Sequence, residues 1–370
     1  MEPAYILSFM ASFLQAVFTP ALVLYAYSLS LDELQISVIS GVASFVYVAG
    51  SLTSSAAHNR LSGSKIIALS FGVMSAGFAA LLFSKTFTGI LASSSLVLLG
   101  FGLFWPAVEA HLSRSGSSVS KFSFSWSSGS LVGALLTSTL LKLDLKLLFV
   151  AYTALSISQS ALGLRIKGSS SSVYRHAGDA GTRDLLLLWA PWAYCIAYSA
   201  SSSGVFTFYP LFVESRSLSR DYISLVNFTM LLTRTATFFF YDKAPRSLRN
   251  PLLAMLGFLA GLGLTSTANP ILVALISGLI GYAQGVIYAT ALDLVFSRGG
   301  GIEKATSLFE AFIGLGYAAA PPLSGAANAA FGFEPISFAS VLALATSLSA
   351  SLSMKSFNAT RHSKTRDRNY

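Results

Sequence analysis

The stretch "VEAHLSRSG", residues 108–116, recurs in altered form as "LDLVFSRGG" at residues 292–300. In each copy a carboxylate, Glu109 or Asp293, ends an apolar run, and an arginine follows five residues later, Arg114 or Arg298. The two copies lie 184 positions apart in a chain of 370 residues. The repeat therefore predicts that the chain consists of two related halves.

Two further matches support this repeat at an offset of 183. The loop "NRLSGSK" (59–65) aligns with "DKAPRSL" (242–248), and each leads into an apolar segment. Gly133 aligns with Gly316. Three matches in the same order at a nearly constant offset favour a parallel repeat, which is a known layout of membrane transporters.

The composition is typical of an integral membrane protein. Only 11% of the residues are charged and 54% are hydrophobic, with a mean hydropathy of +0.66. A soluble domain carries about 25% charged residues. Such a chain has too few charges to cover a surface that faces water.

The length of the apolar segments predicts twelve transmembrane helices, since a bilayer core needs about 20 apolar residues per helix. The fold class is thus all-α, with two pseudo-symmetric bundles of six helices. The predicted segments are 4–27, 36–57, 66–84, 89–110, 122–141, 146–166, 184–213, 221–241, 251–267, 270–295, 304–330 and 335–354.

The positive charges predict the orientation, because cytoplasmic loops are enriched in Lys and Arg. With the N-terminus inside, eighteen of the 24 Lys and Arg residues fall on the cytoplasmic side, five fall outside, and Arg234 lies within a helix. We therefore expect both termini in the cytoplasm and a multi-pass protein of the plasma membrane. The net charge of +9 is spread over many loops, which argues against a nucleic-acid partner.

The longest polar stretch, "KGSSSSVYRHAGDAGTR" (167–183), is predicted to be a flexible cytoplasmic linker. It separates a first six-helix bundle at residues 1–166 from a second at 184–370, which ends in a short basic tail.

The chain resembles the major facilitator superfamily of secondary transporters, which carries a loop motif G-x-x-x-D-R-x-G-R-[RK] between helices two and three. The first copy here, "SAAHNRLSGSK" (55–65), keeps Arg60 and Lys65. The second copy, "FFFYDKAPRSLR" (238–249), keeps Asp242 and three basic residues. The proton-antiporter signature of helix four needs an arginine at position 96, where this chain has a leucine. The resemblance implies alternating access and leaves the drug-antiporter subgroup unsupported.

The resemblance also implies a cytoplasmic gate in which acidic groups form salt bridges with the basic loops. The candidate pairs are Glu109 with Arg60 or Arg114, and Asp293 with Arg246, Arg249 or Arg298. Asp242 lies in the same loop as Arg246 and Arg249 and is a further candidate of this gate. The alternative is that these carboxylates lie at the interface, solvated by water and lipid headgroups.

Two charged residues are predicted deeper in the membrane. Placing an ionisable group there costs free energy, and such groups are often functional. Arg234 lies eight residues before Asp242, about 12 Å along a helix, and Glu310 lies six residues past Lys304, about 9 Å. We expect a buried pair between helices eight and eleven, with Glu310 as a candidate proton carrier. The alternative is a static structural pair.

Uncharged candidates for the solute cavity lie near the middle of their helices. The family's cavity-lining helices favour Gln15, Gln284, Tyr194 and Tyr198, and Trp126 adds an aromatic face. Each could instead be a helix-packing residue. Together with Arg234, such a cavity would suit a small amphipathic or weakly anionic solute.

Several chemistries lack their motifs. The single cysteine excludes a disulfide framework, the four histidines form no metal-spaced cluster, and no P-loop is present. We therefore expect a monomeric, non-enzymatic transporter of a small solute, coupled to a gradient of protons or another ion, without cofactor or metal. The alternatives are a membrane enzyme acting on a lipid-linked substrate and a sensor that does not transport.

Overall fold

A computed structural model describes residues 3–58, 60–114, 119–166, 189–296 and 302–366. These residues form twelve α-helices, which confirms the predicted fold class. The helices are α1 (Pro3–Ser28), α2 (Glu33–Ala57), α3 (Gly63–Leu81), α4 (Phe87–Arg114), α5 (Val119–Leu141), α6 (Leu145–Gly163), α7 (Trp189–Ser215), α8 (Asp221–Phe240), α9 (Pro251–Ala260), α10 (Pro270–Phe296), α11 (Ile302–Phe331) and α12 (Pro335–Arg366).

The largest differences from the predicted C-terminal helix ends are in α4, α9 and α12. Helix α4 continues four residues past its predicted end, and α12 continues through part of the predicted tail. Helix α9 ends early and passes into a 3-10 turn at Gly261–Ser266. The predicted linker 167–183 lies outside the described residues.

Eight of the described helices are long and apolar enough to cross a membrane by length and composition. Helices α5, α7 and α11 fall outside this group, and each buries at least one serine, for example Ser127, Ser202 and Ser307. Helix α9 is shorter, and with the 3-10 turn that follows it the apolar segment spans Pro251–Ser266.

Polar side chains cap the starts of several helices. Asp32 caps α2, where the amide of Gln35 donates to Asp32 Oδ1 at 2.8 Å and the amide of Asp32 donates to Gln35 Oε1 at 3.0 Å. Asp144 caps α6 in a similar way. These bonds satisfy amide groups that a helix start leaves without an internal partner.

Helix packing repeats between the two bundles at the offset seen in the sequence. Gly133 on α5 approaches α1, so a Cβ there would lie 2.9 Å from the carbonyl oxygen of Phe13. Gly316 on α11 approaches α7, so a Cβ there would lie 2.5 Å from the carbonyl oxygen of Ile196. Each residue of the second pair lies 183 positions after its counterpart. Both sites need a glycine because two helix backbones approach closely.

The bundles meet along two pairs of helices, α2 with α11 and α5 with α8. On the first seam, Ser51 Oγ donates to the carbonyl oxygen of Ser307 at 3.0 Å. On the second, the amide of Ser138 donates to Ser224 Oγ at 2.7 Å. The seams leave a space between the bundles, and this space holds the candidate site.

Candidate functional site

A cavity of about 150 Å³ lies between the two bundles. Its lining comes from α1, α2, α4 and α5 of the first bundle and from α7, α8, α10 and α11 of the second. The charged, amide and aromatic residues of this lining are Gln15, Phe18, Tyr47, Phe101, Trp105, Glu109, Phe122, Trp126, Tyr198, Phe206, Arg234, Tyr288, Glu310 and Tyr317. The cavity is therefore polar and aromatic at the contact between the halves.

Arg234 is the cation of this cavity, and its side chain is 4% exposed. Its Nη1 donates to Tyr198 Oη at 2.8 Å. The guanidinium carbon lies 5.5 Å from the ring centroid of Tyr198 and 5.8 Å from that of Trp126. Its Nε has no hydrogen-bond partner among the described residues. Aromatic faces attract a cation but do not neutralise it.

Glu310 lies on the opposite seam and is 7% exposed. Its Oε2 accepts a short hydrogen bond from Tyr47 Oη on α2. Tyr47 thus connects a carboxyl group of the second bundle to the first bundle. No pattern in the sequence singled out Tyr47, because an aromatic residue in an apolar helix is more often part of the packing.

Arg234 and Glu310 do not form the predicted ion pair. Among the described residues, Arg234 donates instead to Tyr198, and Glu310 accepts from Tyr47. The reason is the helix arrangement, since α8 packs on α5 and α10 whereas α11 packs on α2 and α7. The two helices face each other across the cavity, so the two charges line one space without direct contact.

Glu109 lines the cavity together with Glu310, and its role in the gate stays a prediction. No ion pair joins it to Arg60, which is exposed, within the described part of the chain. Helix α4 continues for five residues beyond Glu109, about 7.5 Å at 1.5 Å per residue. Glu109 therefore lies more than one helical turn from the end of α4.

The second predicted gate is also without an ion pair in the described residues. Asp242, Arg246 and Asp293 are exposed, and Arg249 lies over the ring of Tyr241 with its guanidinium carbon 5.8 Å from the centroid. The side chain of Arg114 and the whole of Arg298 lie outside the described residues. The cytoplasmic gate stays a prediction.

Three of the uncharged candidates line the cavity. They are Gln15, Trp126 and Tyr198. Gln15 Oε1 accepts from Trp105 Nε1 at 3.3 Å, which fixes the amide against α4.

Gln284 and Tyr194 do not line the cavity, contrary to their selection from the sequence. Gln284 is fully buried, and its Nε2 donates to Ser201 Oγ at 3.2 Å between α10 and α7. Tyr194 is also fully buried, and its hydroxyl lies 2.7 Å from Ser351 Oγ on α12. Both helices are rotated so that these side chains point into a helix contact. Tyr288, one helical turn after Gln284, takes the cavity position on α10.

Comparison with known proteins connects this architecture to membrane transporters. The model of the Major Facilitator Superfamily matches residues 4–302. A crystal structure of the nucleoside transporter NupG superimposes with a TM-score of 0.67 at 13% identity, covering 96% of this chain and 98% of that one. A single-site NupG mutant gives 0.72 at 14% identity with the same coverage.

A second kind of transporter shares the fold. A bacterial homologue of the human lysosomal transporter Spinster, in an inward-facing and occupied conformation, gives a TM-score of 0.69 at 12% identity. That superposition covers 97% of this chain and 96% of the homologue. No curated protein matches the chain in sequence. Similarity at this level of identity shows the fold alone. The solute has to be inferred from the residues of the site.

Proposed function

Since the chain belongs to the Major Facilitator Superfamily and is a secondary transporter, we propose that the cavity between its bundles is the solute site of an alternating-access cycle. Its family and structural neighbours are transporters rather than enzymes. The solute is a small molecule, because the cavity measures about 150 Å³.

One observation carries this proposal, namely that both bundles contribute charged side chains to a single cavity. Glu109 comes from the first bundle, and Arg234 and Glu310 come from the second. Movement of one bundle against the other would change the surroundings of all three groups at once. A solute bound among them would then gain or lose contacts as access alternates.

We further propose that Glu310 couples transport to protons. Its carboxyl group is buried at the seam of α2 and α11, and its bond to Tyr47 crosses between the bundles. A change of access at this seam would alter that bond and the water around the carboxyl group. A buried ionisable group whose surroundings change with the state is suited to take up and release a proton.

Flux into proteoliposomes tests both proposals. A screen of radiolabelled small solutes is expected to find one whose uptake requires the protein and rises with an imposed pH gradient. Glu310→Gln is expected to remove the pH dependence, because an amide does not bind a proton in this range. The matched control is Glu214→Gln, at the outer end of α7, which should transport normally.

Two results would count against the proposals. Absence of protein-dependent flux for every solute would favour a sensor or an enzyme over a transporter. Unchanged pH dependence in Glu310→Gln would remove this residue as the proton carrier while leaving transport itself intact.

We also propose a plasma-membrane monomer with both termini in the cytoplasm. The distribution of Lys and Arg supports the orientation. The monomer is supported by the cavity, whose lining comes from one chain. Cysteines introduced at the exposed positions Leu143 and Pro245 test the orientation, since an impermeant maleimide on intact cells should label only Leu143→Cys. The reverse labelling would invert the topology.

A further inference from the structure

We infer that the cavity binds a solute that carries both an anionic and a cationic group, such as an amino acid or a betaine. The anionic group lies at Arg234, and the cationic group lies at Glu109 and Glu310. This inference rests on the proposed function, since it takes this cavity as the transport site.

The first step concerns the positive end of the cavity. Arg234 is buried, its Nη1 bonds to the neutral hydroxyl of Tyr198, and its Nε has no partner. Within the described residues no carboxylate lies in ion-pair distance of it. A buried charge without a counter-ion is unfavourable unless a partner arrives. A planar guanidinium with free donors fits a carboxylate or a similar anion.

The second step concerns the negative end. Glu109 from α4 and Glu310 from α11 both line the cavity, and Tyr47 donates a hydrogen bond to Glu310. No basic side chain of the described residues forms an ion pair with either carboxylate. An ammonium or quaternary ammonium group between them would supply the missing positive charge.

The third step connects the two ends. The ring of Tyr288 lies 5.0 Å from that of Tyr198, which bonds to Arg234. Tyr288 lines the cavity together with Glu109 and Glu310. Its ring therefore lies beside the positive end, in a wall shared with the two carboxylates, and its face can pack against the body of the solute or attract its cation.

Charge balance distinguishes this solute from singly charged ones. A purely anionic solute leaves the two carboxylates without a cation, and a purely cationic one leaves Arg234 without an anion. A solute with both groups satisfies both ends and adds no net charge. One arginine and two carboxylates then need one proton for neutrality, which agrees with a coupled proton.

Binding to the purified full-length protein in nanodiscs tests the inference with sets of three probes. Each set contains an amino acid, the amine that lacks its carboxylate and the acid that lacks its ammonium group. Phenylalanine, phenethylamine and 3-phenylpropanoate form one set, and the other common amino acids and glycine betaine form similar sets. In at least one set, the zwitterion should bind roughly 30-fold more tightly than either analogue, because each analogue leaves a buried charge unpaired.

Variants assign each end of the cavity. Arg234→Ala should bind the amine and the zwitterion with equal affinity. The double variant Glu109→Gln and Glu310→Gln should bind the acid and the zwitterion with equal affinity. The controls Arg216→Ala and Glu214→Gln, at the outer end of α7, should keep the wild-type preference. The comparison of probes on the wild-type protein decides the question even if a variant does not fold.

The inference is overturned if no zwitterion of these sets binds, or if a singly charged analogue binds as tightly as its zwitterion. Its failure is distinguishable from failure of the proposed function. An Arg234-dependent flux of a solute with one charge would leave transport standing and remove the inference. Selective zwitterion binding without any flux would support the inference and contradict the proposed transport function.

Discussion

Gln15 and Gln284 show how much the environment of a residue decides its role. Both are amides near the centre of a helix in a chain with few polar groups of that kind. Gln15 lines the cavity and accepts a bond from Trp105, whereas Gln284 is enclosed between α7 and α10. The Oε1 of Gln284 has no partner among the described residues. The amide of Gln284 therefore packs between two helices and contributes little to stability, and it is not a solute ligand.

Gln284→Leu should leave solute binding unchanged and keep the free energy of unfolding within about 1 kcal/mol of wild type, because it removes a half-satisfied buried amide. Gln15→Ala is the comparison and should weaken binding, since it frees Trp105 and opens the cavity wall. Thermal unfolding and solute titration measure the two effects. Loss of binding in Gln284→Leu alone would restore Gln284 as a cavity residue.

At the scale of the helices, close approach of backbones determines how helices pack within each bundle. Gly129 on α5 lies against α1, and a Cβ there would overlap the carbonyl oxygen of Phe9. Gly278 on α10 is different, because a Cβ there would first meet Thr233 Cγ2 at 3.5 Å, an ordinary contact. The two glycines therefore differ in cost although both lie inside helices.

Gly129→Ala should lower the free energy of unfolding by about 1–3 kcal/mol, because the helices must move apart. The matched Gly278→Ala should be neutral or slightly stabilising, since alanine favours helix over glycine. Thermal or denaturant unfolding in the same detergent measures both. Equal loss in the two variants would mean that helix packing at Gly129 is not the cause.

At the scale of the whole molecule, polar contacts join the two bundles at the end that the charge distribution predicts to be outside. Lys142 Nζ lies 3.1 Å from Asp221 Oδ1, and Arg220 Nη1 donates to the carbonyl oxygen of Leu141 at 2.6 Å. On the other seam, Asn328 Nδ2 donates to Glu33 Oε1 at 2.7 Å. Among the described residues no ion pair joins the bundles at the opposite end. These contacts must break for the cavity to open at this end.

Lys142→Ala should shift the population toward opening at this end by no more than about fivefold, because an exposed ion pair contributes little to stability. Spin labels on cysteines at the exposed positions Leu143 and Ile271 report the distance across this end. The native Cys195 is fully buried and should stay unlabelled. Lys146→Ala removes an exposed lysine from the first turn of the next helix, α6, and should leave the distances unchanged. An equal shift in both variants would assign the effect to general charge.

The sequence by itself determined the membrane class, the twelve helices and their pairing into two related bundles. These features depend on local properties, because apolar length sets a spanning helix and the offset of 183 is visible in the residues themselves. It also placed Arg234 and Glu310 below the surface, since their depth follows from their distance along a helix.

Only the tertiary structure decided which side chains share the cavity. Glu109 lines the same cavity as Glu310, and the rotation of α10 puts Tyr288 rather than Gln284 at the cavity wall. The separation of α8 from α11 left Arg234 and Glu310 facing each other without contact. The rotation and exact end of a helix depend on its neighbours, because one residue turns a side chain by about 100° around the axis. In these helices the apolar pattern is nearly continuous, so only packing between them selects the face that lines the cavity.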